Sequence, residues 1–96
     1  MIAMYILRCG DGSYYVGSTK NLDHRMWQHS IGQGSEYTKS RMPVELVFFQ
    51  EFSRIDDAYA VEKQVQAWSR AKREALIEGR LTDLVALSKK KKFNRS

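Results

Sequence analysis

Residues 2–9 constrain the fold most: Ile2, Met4, Tyr5, Ile6 and Leu7 run with no polar alternation until Arg8. Such β-prone apolar residues form a strand. A continuous apolar run, unlike an alternating one, requires cover on both faces of the sheet. Gly10-Asp11-Gly12-Ser13 then reads as a turn, and Tyr14 to Ser18 as the return strand,. Residues 2–18 are therefore predicted to form a β-hairpin. Gly17, inside the return strand, marks a bulge or a close backbone approach.

Helical periodicity follows. Asn21 is a good N-cap, and Asp23 suits the positive end of a helix running about 22–31 and ending near Gly32. On it Leu22 and Met26 point one way, while Arg25 and His29, four apart, share another face. Gly32 to Arg41 reads as a polar loop. Pro43 introduces a strand, Val44 to Phe52, whose alternation predicts at least one deeply buried face. Ser53, with Asp56 three residues on, caps a second helix over about 54–72, with the basic cluster Arg70 to Arg73 on its last turn. Shorter helical stretches are expected at about 73–78, ending at Gly79, and about 81–88.

Ninety-six residues make one domain, predicted over 1–88 and followed by a basic tail over 89–96,. The net charge of +5 is matched by Lys89, Lys90, Lys91, Lys92 and Arg95 alone. Such a run is either a solvated, disordered tail or an aid to phosphate-backbone binding, and the two are compatible. Cys9 is the only cysteine, so no intrachain disulfide forms, and a reducing cytoplasm fits. The opening apolar run is too short for a signal segment or a membrane span. There is no P-loop pattern and no paired-cysteine zinc spacing.

One residue breaks the pattern of the second helix. At 100° per residue, Glu62 falls at roughly 40° from Ala58, inside the apolar arc that holds Val61, Val65 and Ile55. A carboxylate there is desolvated unless it is paired or binds a cation. It is either a structural ion pair, for example with an arginine, or a ligand for Mg²⁺ or Mn²⁺, which accept one carboxylate plus waters and substrate phosphate. Arg25 is a solvated residue or a bidentate phosphate clamp. His29 is an ordinary packed residue or a general acid–base group. Tyr5 and Tyr15 are strand packing, or phenols that become bases once a cation lowers their pKa. Tyr37, in the Gly-rich loop, covers the core edge or touches phosphate.

As an ordered set, these residues resemble the GIY-YIG nuclease family, in particular its small single-domain bacterial branch. Tyr5-Ile6-Leu7 stands where the first motif sits, with Met4 in place of its glycine. Tyr15-Val16-Gly17 is a close copy of the second. Asn21-Leu22 with Arg25 looks like the family's arginine segment, and Glu62 like its metal-binding glutamate. Glu36-Tyr37-Thr38, Pro43-Val44-Glu45-Leu46 and the segment Trp68 to Ile77 are similar to the branch's middle and end. Gln66 stands where a lysine is expected.

The resemblance implies an α/β (α+β) fold, a central three-stranded, mostly antiparallel sheet flanked by helices. It implies single-metal hydrolysis of DNA phosphodiester bonds on structured or damaged substrates. Tyr5, with Tyr15, would position or deprotonate water, Arg25 would neutralise phosphate, Glu62 would hold Mg²⁺ or Mn²⁺, and His29 and Tyr37 would assist. Gly17, Lys39, Arg70, Lys72 and Lys89 to Lys92 are the expected DNA contacts. The alternative is a nucleic-acid-binding module of the same fold without catalysis.

Overall fold

The computed structural model describes residues 1–80 and 82. Two compact units divide the chain after Gln66. The first holds a three-stranded antiparallel sheet of β1 (Ile2–Arg8), β2 (Tyr14–Thr19) and β3 (Glu45–Phe52), in the order β2-β1-β3. β1 is central, and Ala3 to Leu7 are buried almost completely. Its uniform apolarity thus has its expected consequence, at about 1.5–3 kcal/mol for each large side chain removed from water.

The helices of this unit are α1 (Leu22–Ser30), α2 (Glu36–Lys39) and α3 (Ile55–Gln66). On one face Ala3, Tyr5 and Leu7 form a cluster with Leu22 of α1, and Tyr15, Met26 and Val44 pack against it. On β1 the alternate residues Met4 and Ile6 point to the other face. α3 lies mainly against β1 and β2 and buries Ala58, Glu62 and Val65. The hairpin turn is tied by Asp11, whose Oδ1 accepts from the Ser13 amide and hydroxyl, and it docks on the α2–β3 connection through Gly10 N–H to Arg41 O at 2.7 Å.

Several expectations are corrected. β3 has no buried residue, because it is an edge strand that α3 barely covers. The loop over 32–41 contains α2, which Ser35 caps by accepting the Thr38 amide. The second helix begins at Ile55, one residue later than a Ser53 cap implies, with the Arg54 carbonyl accepting from Ala58 N–H. It stops at Gln66 instead of running to 72.

In the second unit, α4 (Arg70–Ile77) starts where the Ser69 side chain accepts the Lys72 amide. The basic cluster therefore occupies the first turn of α4, not the last turn of a long helix. The Arg70–Glu74 pair at 3.1 Å offsets part of that unfavourable placement,. The stretch expected at 81–88 and the boundary at 88 fall outside the described residues, residue 82 excepted. No helix among the described residues is long and apolar enough to cross a membrane.

Candidate active site

Tyr5 and Gly17 are cross-strand partners in the β1–β2 register. Directly opposed side chains share one face and lie about 5 Å apart. A methyl group on Gly17 would stand 2.6 Å from the Tyr5 hydroxyl oxygen and 2.7 Å from Cζ. The bare backbone at Gly17 is thus what lets the Tyr5 ring lie across β2.

The Tyr5 hydroxyl meets His29 Nε2 at 2.9 Å, and His29 Nδ1 meets Thr38 Oγ1 at 3.1 Å. Thr38 Oγ1 lies 2.9 Å from Ser35 Oγ and donates to the Ser35 carbonyl at 3.3 Å. Assigning Thr38's single proton to that carbonyl makes His29 Nδ1–H the donor to Thr38, and leaves Nε2 to accept the phenol. Gly32 builds this arrangement. It adopts φ +78° after α1, and the bonds Gly32 N–H to His29 O and Gln33 N–H to Gln28 O close the helix and fold the chain back,. Gly34 then lies against the His29 ring, where a methyl group would run into Nδ1. Tyr15 meets His29 edge-on at 5.6 Å and stacks on Tyr37 at 5.9 Å. The Arg41 guanidinium sits 3.8 Å from the centre of the Tyr37 ring.

Burial, reinforced by neighbouring Tyr15, pushes the Tyr5 phenol up to about 12, although a hydrogen bond and the charge of Arg25 pull the other way. Glu62 raises it further. One guanidinium and one carboxylate thus act on the same hydroxyl. Arg25 gives its Nε–H to Gln28 at 3.0 Å, and with five N–H donors it retains capacity for an anion.

Glu62 is 9% exposed. Its Oε1 accepts from Ser18 Oγ at 2.5 Å and its Oε2 from Gln66 Nε2 at 2.7 Å. The arginine pairing considered from sequence is not what holds it. Its partners are neutral, apart from Lys63 at 3.8 Å, which is exposed. One hydrogen bond on each oxygen leaves a lone pair on each. No group of three or more His, Cys, Asp or Glu able to hold a metal occurs among the described residues. A carboxylate outside any such group fits a hard cation that keeps its waters better than it fits zinc.

A family model for the GIY-YIG catalytic domain matches residues 1–75. The chain belongs to the GIY-YIG family. Its GIY-YIG domain is 39% identical over 74 residues to a UPF0213 protein of Bacillus pumilus, covering 77% of this chain and 76% of that one. Another UPF0213 protein, from Pediococcus pentosaceus, is 43% identical over 67 residues and 70% of each chain. Among solved structures, the UPF0213 protein of Bacillus halodurans matches with a TM-score of 0.54 at 39% identity, over 80% of this chain and 82% of that one. A protein of E. faecalis gives 0.55 at 28% identity, over 81% and 83%. The α+β fold with its three-stranded sheet and the membership of a nuclease family both stand on these likenesses.

His29, Tyr15, Arg25 and Glu62 all act on the Tyr5 phenol, and Tyr37 reaches the group only through its stacking on Tyr15. The close approach expected at Gly17 is made by Tyr5's own ring. Arg25 and His29, four apart, both act on the Tyr5 hydroxyl as a shared face implies, but His29 is also buried, as is Leu22 two turns earlier, so the two faces of α1 are not separate there,. Lys39 is exposed on the last turn of α2. Arg70 pairs with Glu74, and Lys72 Nζ lies 4.4 Å from the Trp68 ring centre, both within the second unit. Lys89 to Lys92 lie outside the described residues.

No sequence pattern gives Ser18, Gly34, Ser35 or Thr38 a role at the site, and Gln66, a departure from the family pattern, proves to be a partner of Glu62. One signal was available: Ser35-Glu36 followed by Thr38 has the composition of a helix N-terminus inside a segment read as loop.

Burial, and then the charge of Arg25, hold the His29 imidazole below its ordinary 6.5. Acid therefore protonates residue 29 in the unfolded chain before the folded one. The contribution to stability is present above pH 6.5 and is lost as pH falls toward the depressed folded value,. Melting curves between about pH 7.5 and 5 should show a smaller fall in Tm for His29→Asn than for wild type. Equal falls would show that this ring does not contribute.

Proposed function

We propose that this domain is an endonuclease that hydrolyses DNA phosphodiester bonds with Mg²⁺ or Mn²⁺, on structured or damaged substrates. The observation that carries the reading is the Tyr5 phenol, which hydrogen-bonds a neutral imidazole and lies within electrostatic reach of an arginine and a carboxylate. Glu62 is the residue that holds the cation. When bound, such an ion offsets charge on phosphate oxygens and lowers the pKa of a coordinated water.

Arg25 donates to the scissile phosphate, and its charge is worth most where charge develops during in-line attack. Tyr5 is protonated at neutral pH, so it does not begin as a phenolate. It takes a proton from the attacking water as it gives its own to His29 Nε2. Tyr15 fixes the His29 ring from its edge, and Tyr37 with Arg41 closes the wall beside it. Lys39, Arg70, Lys72 and the run from Lys89 to Lys92 are the proposed contacts to the DNA backbone.

A second reading, a nucleic-acid-binding module without catalysis, is favoured by one observation: Ser18 and Gln66 already engage both Glu62 oxygens. Nicked, flapped, branched and single-stranded oligonucleotides incubated with each cation separate the two. Cleavage with Mg²⁺ or Mn²⁺ that stops in EDTA supports the nuclease. Binding in EDTA with no cutting under any cation supports the module.

A further inference from the structure

The chain of contacts at Tyr5 does not stop at His29, and its far end reaches solvent. His29 and Thr38 are 1% and 0% exposed, whereas Ser35 is half-buried. Ser35 lines an open cavity of about 440 Å³ together with Gly32, Gln33, Glu36 and Lys39. A polar cavity of that size holds water. The consecutive steps are 2.9, 3.1 and 2.9 Å, each within hydrogen-bond reach,.

We infer that Thr38 and Ser35 complete a proton relay, Tyr5–His29–Thr38–Ser35, that carries the proton of the attacking water away from the site and releases it into the cavity under the α1–α2 connection. The inference rests on the nuclease reading above. The hops balance. Water gives a proton to the Tyr5 oxygen, and Tyr5 gives its own to His29 Nε2. His29 gives its Nδ1 proton to Thr38 Oγ1, the Thr38 hydroxyl turns from the Ser35 carbonyl and gives its own proton to Ser35 Oγ, and Ser35 gives one to cavity water. Each side chain ends with as many protons as it began with, and His29 has only exchanged tautomers. The reverse sequence resets the chain and returns one proton to the active-site side.

Charge favours a relay over storage. A proton kept on His29 makes a buried imidazolium beside Arg25, which burial and that guanidinium both oppose,. A proton passed on leaves the ring neutral throughout. The relay also accounts for Gly34. A methyl group there would strike the ring at Nδ1, the atom that faces Thr38. Thr38 and Ser35 are thus positioning residues that act on the reaction through His29.

The test is a solvent-isotope proton inventory of DNA cleavage by the full chain with Mn²⁺. It compares wild type with Thr38→Val, which keeps shape and loses the hydroxyl, and with Thr38→Ser, which keeps the hydroxyl. Thr38→Val should lower kcat by roughly 10–100-fold with KM unchanged. Its inventory should change from a curved, many-proton dependence to a linear one, and Thr38→Ser should restore most of the rate and the curvature. If Thr38→Val melts early, Ser35→Ala read below its own Tm replaces it, with the same expected loss of curvature. Wild-type cleavage with kcat and inventory unaltered in Thr38→Val or Ser35→Ala overturns the relay and leaves the nuclease reading standing. Absence of wild-type cleavage with every cation overturns both.

Discussion

Glu62→Ala should lower cation-dependent DNA cleavage by about 10²–10³-fold or more, while the fold survives. The loss is large because no group of three or more His, Cys, Asp or Glu stands among the described residues to take over the cation. The structural cost is small because Ser18 is half-buried and Gln66 exposed, so both rehydrate when the carboxylate goes. Alanine also suits a helix interior. Loss of two hydrogen bonds, at about 1 kcal/mol each, would move the Tm of a domain this size by about 8–16 °C, which bounds the shift. Arg25→Ala should match it in rate, since a guanidinium aligned on phosphate has no neutral substitute. Mn²⁺ binding, read by calorimetry without DNA, should vanish in Glu62→Ala and persist in Arg25→Ala. Cleavage by both variants at the wild-type rate would defeat the assignment of these residues.

Gly17→Ala is the second change with a large expected effect, and it acts with no alteration of charge. The added methyl group would overlap the Tyr5 hydroxyl and Cζ. That ring is fully buried, and its hydroxyl is held by His29, so it cannot swing aside freely. Overpacking a closed core costs about 1–3 kcal/mol, so Tm should drop by roughly 5–20 °C. Below that Tm, cleavage should fall about 100-fold with DNA affinity preserved, because the Tyr5–His29 contact is lost. In a Tyr5→Phe background the same substitution should destabilise less, since the atom nearest the methyl is gone. Wild-type Tm and rate in Gly17→Ala would show that the phenol does not lie over β2.

Much of this was legible in the sequence, for definite reasons. A short unbroken run of β-prone apolar residues closed by a glycine turn reads as a doubly covered strand, so β1 and its hairpin followed from Ile2 to Ser18. Glu62 was conspicuous because an acid had no business in that arc by helical geometry. What periodicity could not supply was competition between local caps. Ser69 ends the long-helix expectation by accepting a backbone amide, and Ser35 starts a helix where the composition reads as loop. Nor does alternation report whether an edge strand finds a partner layer, which is why β3 is less buried than expected. The relay was invisible for a related reason. Thr38 and Ser35 owe their roles to the chain reversal at Gly32, and no spacing between His29 and residue 38 encodes that turn.

The placement of Tyr5 on the middle strand has a consequence for how this domain can fail. Backbone amides in such a strand exchange with solvent only when the whole unit opens. The oxygen to which the proposed function assigns the reaction is therefore anchored to the last part of the unit to come apart. Under the proposed function, local fraying at the rim should leave cleavage intact, and inactivation by heat or denaturant should coincide with global melting.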